Sequence, residues 1–248
     1  MNINFKETNY GTFCLLEKDL ISNCISNYGS WEPHLYLFYS NFIKQDYIIL
    51  DGGANLGFHT ICFAALANQG KVYCFEPQPL IFNLLSTNIL INGASDIVKQ
   101  FRLGLGDKKE QLKMSPLKDQ FFSEDCINYG GRGLTNLDEG EEDVEIITID
   151  SLNLPKLDLI KLDVQGFELE TIKGGEKTIK HNHPLMFIEN YLDGEKDQQV
   201  IKLLEKWGYV TYRLLCTENQ EDCILLYPDK HIEEIKFIET QTYIKWIK

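Results

Sequence analysis

Residues 47–57, YIILDGGANLG, set four apolar or aromatic positions before Asp51 and then turn through Gly52, Gly53 and Gly57. A short apolar run that stops on an acid and opens into glycines reads as strand, tight turn and helix N-terminus. One helix's length further on, residues 71–77, KVYCFEP, form a second apolar run with Glu76 at its carboxyl end. In an open α/β sheet, ligands bind outside the carboxyl ends of the strands, at the crevice where strand order reverses. Two successive strand-ending acids therefore face the place where a cofactor would lie.

The spacing narrows the cofactor. Glycines let the backbone come close to a ligand and adopt positive φ, and an acid at the end of the next strand can accept both hydrogen bonds of a ribose diol. The turn reads D-x-G-x-x-x-G, with Ala54 where the dinucleotide fingerprint requires its second glycine. A pyrophosphate cradle is disfavoured, and an adenosine-bearing cofactor without phosphate, such as S-adenosylmethionine, fits better. An NAD-dependent oxidoreductase shares the strand, the turn and the distal acid, and stays the main alternative. A non-catalytic binding module built on the same fold is another.

Outward from these two runs, strands and helices alternate. Residues 31–43 predict a helix entered at Pro33. Strand 47–51, helix 57–68, strand 71–75, helix 79–91 and strand 97–102 follow, a pattern of βαβ units and a mainly parallel sheet. Short strands at 111–114 and 144–149 flank a polar stretch containing GGRG at 130–133 and an acid run at 138–143. A segment of that length inside a domain is either a substrate-covering loop or a mobile excursion. Strand 157–163 ends on Asp163, a tight turn uses Gly166, and Gly174–Gly175 closes a short helix. Strand 184–188 leads to Glu189, and a helix at 195–207 precedes two antiparallel strands, 209–215 and 222–227.

Composition bounds the partners. The chain has 248 residues and no Pro/Ser-rich linker, which predicts one domain: an N-terminal cap over 1–45, a Rossmann-like core over 46–228 and a C-terminal extension over 229–248. Lys and Arg total 24 against 37 Asp and Glu, a formal charge of −13. Such a surface repels a phosphate backbone at long range, which argues against nucleic-acid substrates. The seven cysteines show no C-x-x-C pair and are odd in number, so neither a zinc site nor a disulfide framework is encoded in their spacing. The N-terminus has no charged region leading into an apolar stretch, and no run is long enough to span a bilayer. A soluble, cytoplasmic protein with no membrane partner is expected.

Several blocks in order resemble the FkbM family of S-adenosylmethionine-dependent methyltransferases: DGGANLGFHT at 51–60, FEPQPLIFNLLSTNILIN at 75–92, LGLGD at 103–107, residues 148–175 and PLMFIEN at 184–190. The resemblance covers most of the chain from about Trp31 onward. It implies a class I, Rossmann-like methyltransferase fold with a mainly parallel seven-stranded sheet, helices on both faces and an antiparallel C-terminal strand. It also implies O-methylation, often of a sugar or natural-product hydroxyl. Carried onto this chain, the turn of Asp51, Gly53, Asn55 and Gly57 would hold the methionine portion and Glu76 the ribose, with Pro77, Gly104 and Asp163 beside them. The family commonly reads D-V-E-G where this chain has Asp163-Val164-Gln165-Gly166, a departure that touches any metal or proton role of that carboxylate.

Methyl transfer to a hydroxyl needs alignment and a group that takes the proton. Asp163 is the candidate base or base-orienting group and Glu189 the candidate for binding the acceptor's hydroxyls, although a strand-ending acid also caps its own turn. His59, in the first turn of its helix, faces either the acceptor or the helix's packing side. Glu32 is a candidate partner for the cofactor's ammonium, or a surface acid near a helix N-terminus. A divalent metal held by Asp163, Glu189 and a histidine is conceivable, but no spacing demands one, and metal ligands stay unassigned. The acceptor is a small molecule or glycan, and Trp31, Tyr36, Phe121, Phe122, Tyr129 and Tyr191 are candidate sugar-packing aromatics.

Overall fold

A computed structural model of the chain describes residues 2–123, 126–135, 138, 140–191, 195–215, 220–241 and 246–247. Ahead of the glycine turn come a hairpin, β1 (Ile3–Thr8) and β2 (Gly11–Leu16), and two helices, α1 (Leu20–Tyr28) and α2 (Pro33–Phe42). The alternating unit follows as β3 (Ile48–Gly52), α3 (Phe58–Leu66), β4 (Lys71–Phe75), α4 (Pro79–Ile91) and β5 (Val98–Phe101). Six short strands come next: β6 (Gly104–Leu105), β7 (Glu110–Met114), β8 (Phe121–Ser123), β9 (Cys126–Ile127), β10 (Leu134–Thr135) and β11 (Asp143–Ile147). The chain then runs through β12 (Leu159–Leu162), α5 (Glu168–Gly174), α6 (Glu176–Asn182), β13 (Leu185–Tyr191) and α7 (Glu195–Lys206). It ends with β14 (Val210–Leu215), β15 (Gln220–Leu226), α8 (Ile232–Thr240) and β16 (Trp246–Ile247).

In the main sheet β3 and β12 lie side by side. β4 and β5 extend outward from β3 and β13 from β12, all parallel. β15, β14 and β16 complete the β13 side in antiparallel pairing. Strand order therefore reverses between β3 and β12, the switch point at which such sheets bind ligands. Ile49, Leu159, Phe187 and Ile224 pack on one face with Phe38, Phe63 and Leu85 of α2, α3 and α4. Leu50, Ile160, Met186 and Leu225 pack on the other with Ile172, Ile179 and Leu204 of α5, α6 and α7. Burial on both faces is why the central strands are near-continuous apolar runs. Among the described residues no helix is long and apolar enough to cross a membrane.

The β4 and α4 spans coincide with expectation, and the other central elements agree to within about two residues. Four features differ. The main sheet has eight strands among the described residues rather than seven, because residues 246–247 of the C-terminal extension pair with β14. Glu189 lies inside β13, not at its end, since β15 supplies pairing partners as far as Tyr191. The N-terminal segment carries the hairpin and α1 as well as the expected helix, with Phe13 and Leu15 buried in the core. The polar 115–143 segment contains β8, β9 and β10, and its flanking strands β7 and β11 pair with each other in a second, four-stranded sheet.

The glycine turn is held for a local reason. Gly53 has φ 77°, and a Cβ there would collide with the carbonyl oxygen of Asp163 across the switch point. Gly53→Ala should therefore lower stability by about 2 kcal/mol or more, positive φ alone costing roughly 1–3 kcal/mol. Urea unfolding reads this directly, and an unchanged midpoint would mean that the turn has room to spare.

Candidate active site

A cleft opens outside the carboxyl ends of β3, β4, β12 and β13, walled on the sheet side by Gly53, Asn55, Glu76, Asp163, Gln165 and Glu189. Trp31 and Glu32, at the entry to α2, form one rim, and Gly130 and Arg132 of the 115–143 segment form another. Leu103, Gly104 and Leu105, with Met114 and Leu134 of the second sheet, supply an apolar wall. The long polar segment thus covers the cleft with named residues.

Glu76 follows β4 directly and is buried. Its Oε2 accepts from the Asn55 backbone N–H at 3.0 Å and its Oε1 from the Gln78 backbone N–H at 2.8 Å. Burial nonetheless pushes its carboxyl up to about 7, the two backbone donors only partly offsetting it. The glycine turn is tied to the same strand end, the N–H groups of Gly53 and Ala54 donating to the Phe75 carbonyl at 3.0 and 2.9 Å. Gln78 in turn donates from Nε2 to the Tyr129 carbonyl at 2.9 Å.

Arg132 is 5% exposed and acts as a strut between the 115–143 segment and this corner. It donates to the Ser115 carbonyl at 2.9 Å, Glu142 Oε2 at 2.9 Å, Glu141 Oε2 at 3.3 Å and Gln78 Oε1 at 3.4 Å. Its charge is engaged by those two acids. Sequence reasoning did not single out Gln78 or Arg132. The available signal was an arginine between glycines in a segment otherwise rich in acids.

Asp163 and Glu189 stand opposite each other, one residue beyond the ladder pair of Leu162 and Ile188. Gln165 Nε2 donates to Asp163 Oδ1 at 2.6 Å and to Glu189 Oε2 at 2.9 Å. Lys161, 5% exposed on β12, places Nζ 3.5 Å from Asp163 Oδ2. The turn between them is closed by Glu168, whose Oε1 accepts from the Val164 N–H at 2.9 Å. Burial, reinforced by the charge of Asp163, raises the Glu189 carboxyl well above the usual range. Burial acts on Asp163 in the same sense, but the Lys161 ammonium and the bonds from Glu189 and Gln165 outweigh it and hold this carboxyl below its ordinary value. Burial alone would lower Lys161, and the charges of Asp163, Asp51, Glu32 and Glu189 raise it instead. The group therefore combines a lysine cation and an ionised Asp163 with a Glu189 carboxyl that holds its proton more tightly than an ordinary glutamate.

Several expected site residues stand behind the wall rather than on it. Asp51 is fully buried beside Lys161, its register partner, with Oδ2 accepting from Thr60 Oγ1 at 2.6 Å. Its other oxygen is buried and has no hydrogen-bond partner among the described residues. Gly57, at φ 94°, caps α3 against Leu85. His59 is buried with Nε2 2.9 Å from Glu32 Oε2, so it reaches the cleft only through Glu32. Pro77 and Gly104 do line the cleft. Of the aromatics, Trp31 reaches it, Tyr36 packs edge-on to Tyr10 and Tyr129 is buried. The side chains of Phe121, Phe122 and Tyr191 lie outside the described residues. Among the described residues, no three His, Cys, Asp or Glu side chains gather as a metal-binding cluster.

Residues 51–211 match the methyltransferase FkbM domain, and the chain belongs to that family. It is 30% identical over 131 residues to the hexuronic acid methyltransferase AglP of Haloferax volcanii, covering 53% of this chain and 51% of AglP. It is 28% identical over 149 residues to the 2-O-methyltransferase NoeI of Sinorhizobium fredii, covering 55% of this chain and 60% of NoeI. The crystal structure of methyltransferase FkbM from Methylobacillus flagellatus KT shares the fold, with a TM-score of 0.55 at 16% identity over 84% of this chain and 52% of that one. These matches span about half the length of each relative.

The methyl donor of this family is S-adenosylmethionine, which carries a ribose diol, a sulfonium and an ammonium. The chemistry of the cleft fits such a molecule: the buried Glu76 could accept from a diol, the apolar wall could take a base, and the acids Glu32 and Asp163 could face positive charge. Because a ribose hydroxyl donates best to an ionised carboxylate, affinity for the demethylated product S-adenosylhomocysteine should rise as pH passes through about 7. Calorimetry between about pH 6 and pH 8 should show a three- to tenfold gain, roughly the coupling of one proton, and Glu76→Gln should flatten it. A pH-independent affinity in the unmodified chain would place the ribose elsewhere.

Proposed function

We propose that this chain is a single-domain S-adenosylmethionine-dependent O-methyltransferase acting on a hydroxyl of a sugar, glycan or related small molecule. The observation that carries the reading is the sign of the charge around the cleft. Glu32, Glu76, Asp163 and Glu189 line the cleft and Asp51 lies behind it, against Lys161, the one buried ammonium among the described residues, and an Arg132 already paired. In a low-dielectric site such a surplus favours a cation and opposes an anion. A sulfonium cofactor suits it, and the pyrophosphate of a nicotinamide dinucleotide does not.

When bound, S-adenosylmethionine supplies a methyl group on a positively charged sulfur, which leaves as a neutral thioether. Glu76 would accept from the ribose hydroxyls, while Asn55 and Gly53 keep the turn beneath them in place. Glu32, steadied by His59, would receive the ammonium. Asp51 would contribute its charge from below without touching the ligand. Asp163, held ionised, would accept a hydrogen bond from the acceptor hydroxyl and so fix its line of attack. Its low basicity is no obstacle, because the attacking oxygen becomes strongly acidic as its new bond to carbon forms. The proton then passes to Asp163 and out to solvent. Glu189 would hold the acceptor's neighbouring hydroxyls.

A sugar acceptor is supported by the likeness to AglP and NoeI and by Trp31 on the rim, since aromatic faces pack well against sugar C–H surfaces. Transfer of isotope-labelled methyl from S-adenosylmethionine to a panel of hexoses, hexuronic acids and their nucleotide-linked forms should yield a methyl ether on at least one. Asp163→Asn should slow that transfer by about two to four decades, the usual range for loss of a proton-accepting group, with S-adenosylhomocysteine affinity nearly unchanged. Equal turnover in the variant would remove Asp163 from the step, and labelling of nucleic acid but no saccharide would overturn the acceptor class.

A further inference from the structure

Gln165 decides what the acid pair can hold. Its amide nitrogen stands between the two carboxylates, 2.6 Å from Asp163 Oδ1 and 2.9 Å from Glu189 Oε2. Each amide hydrogen meets one carboxylate, which fixes the orientation of the group, because the reverse would turn an acceptor oxygen towards the Asp163 anion. A divalent cation bridging the pair would draw one oxygen from each acid and occupy this same vertex. The positive charge that such an ion would bring is already present, in the buried ammonium of Lys161 3.5 Å from the other Asp163 oxygen.

The backbone keeps the amide at that vertex. Gln165 has φ 52° and Gly166 φ 89°, a left-handed turn directly after β12. From the other side, Gly133 of the 115–143 segment lies against the Gln165 carbonyl, where a Cβ would come within 2.6 Å of that oxygen. The backbone of this turn is thereby held against the segment that Arg132 anchors.

We infer that Gln165 is the residue that keeps the Asp163–Glu189 pair free of a divalent cation, its amide hydrogens and the Lys161 ammonium taking the cation's place. The inference deepens the methyltransferase reading and rests on it for its catalytic meaning: the acceptor hydroxyl meets an amide-bridged pair of acids rather than a metal. Replacing the amide by a carboxylate would remove the donor and put three acids at one vertex. Like charges so close demand either a further proton or a cation.

Manganese(II) is a suitable probe, its binding to the whole chain followed by loss of the free-ion paramagnetic resonance signal. The unmodified chain should show no site tighter than about 1 mM, the weak end of oxygen-ligand sites. Gln165→Glu should gain one site at least about tenfold tighter, a gain of the size that a single altered ligand-shell group gives. Adding Asp163→Asn should abolish that gain. Gln165→Ser, which opens the vertex without adding charge, should also gain manganese binding and serves where Gln165→Glu fails to fold. Two results would overturn the inference: manganese binding by the unmodified chain that Glu189→Gln removes, or no gain in either folded Gln165 variant. Calorimetry with S-adenosylhomocysteine on the same samples separates the two readings, since a chain that ignores this ligand yet gains manganese as described sinks the methyltransferase reading alone.

Discussion

One ammonium among several carboxylates sets the terms at the switch point of this sheet. Lys161 sits on a strand whose other side chains are buried aliphatics, with Asp51 beside it on β3 and Asp163 two residues on. Taking such charges out of water costs several kcal/mol per ion unless each is paired or hydrogen-bonded. The fold meets that requirement by distributing donors: Thr60 to Asp51, backbone amides to Glu76, His59 to Glu32, Gln165 to Asp163 and Glu189. What is left over is negative, and that remainder is what a cationic methyl donor would complete.

The rest of the architecture serves to hold these groups in register. Parallel pairing of β3, β4, β12 and β13 brings their carboxyl ends to one edge, and pairing of β13 with β15 carries that edge far enough to place Glu189 opposite Asp163. The second sheet, built from β6, β7, β10 and β11 around Met114, Val144 and Ile146, supplies the apolar wall. Arg132 ties the intervening segment to Gln78 and so to Glu76, which couples the cover of the cleft to the acid proposed to hold the ribose.

Much of this was legible from local pattern. The runs at 47–57 and 71–92 announce their strands, turn and helices through apolar density and glycine punctuation, and Glu76 stands on the cleft wall where its position at a strand end put it. What sequence could not resolve was the side of the pleat or helix that each residue takes. Asp51 and His59 lie in the right turn yet face α3 and Glu32 rather than the cleft. Glu189 reads as a strand end from local pattern because the strand's true length depends on β15, more than thirty residues later. Arg132 and Gln78 act through contacts that span fifty-four residues, beyond any local window. Lys161 is the local sign of this ion cluster, since a lysine inside an otherwise buried strand must be paired.

The most direct measurement is a crystal structure of the chain soaked with S-adenosylhomocysteine. The ribose hydroxyls should lie within hydrogen-bonding reach of Glu76, with the thioether sulfur on the Asp163 side of the cleft and Asp51 making no contact. A ligand bound elsewhere, or a Glu76 carboxylate turned away from the ribose, would contradict the assignment of this cleft as the methyl-transfer site.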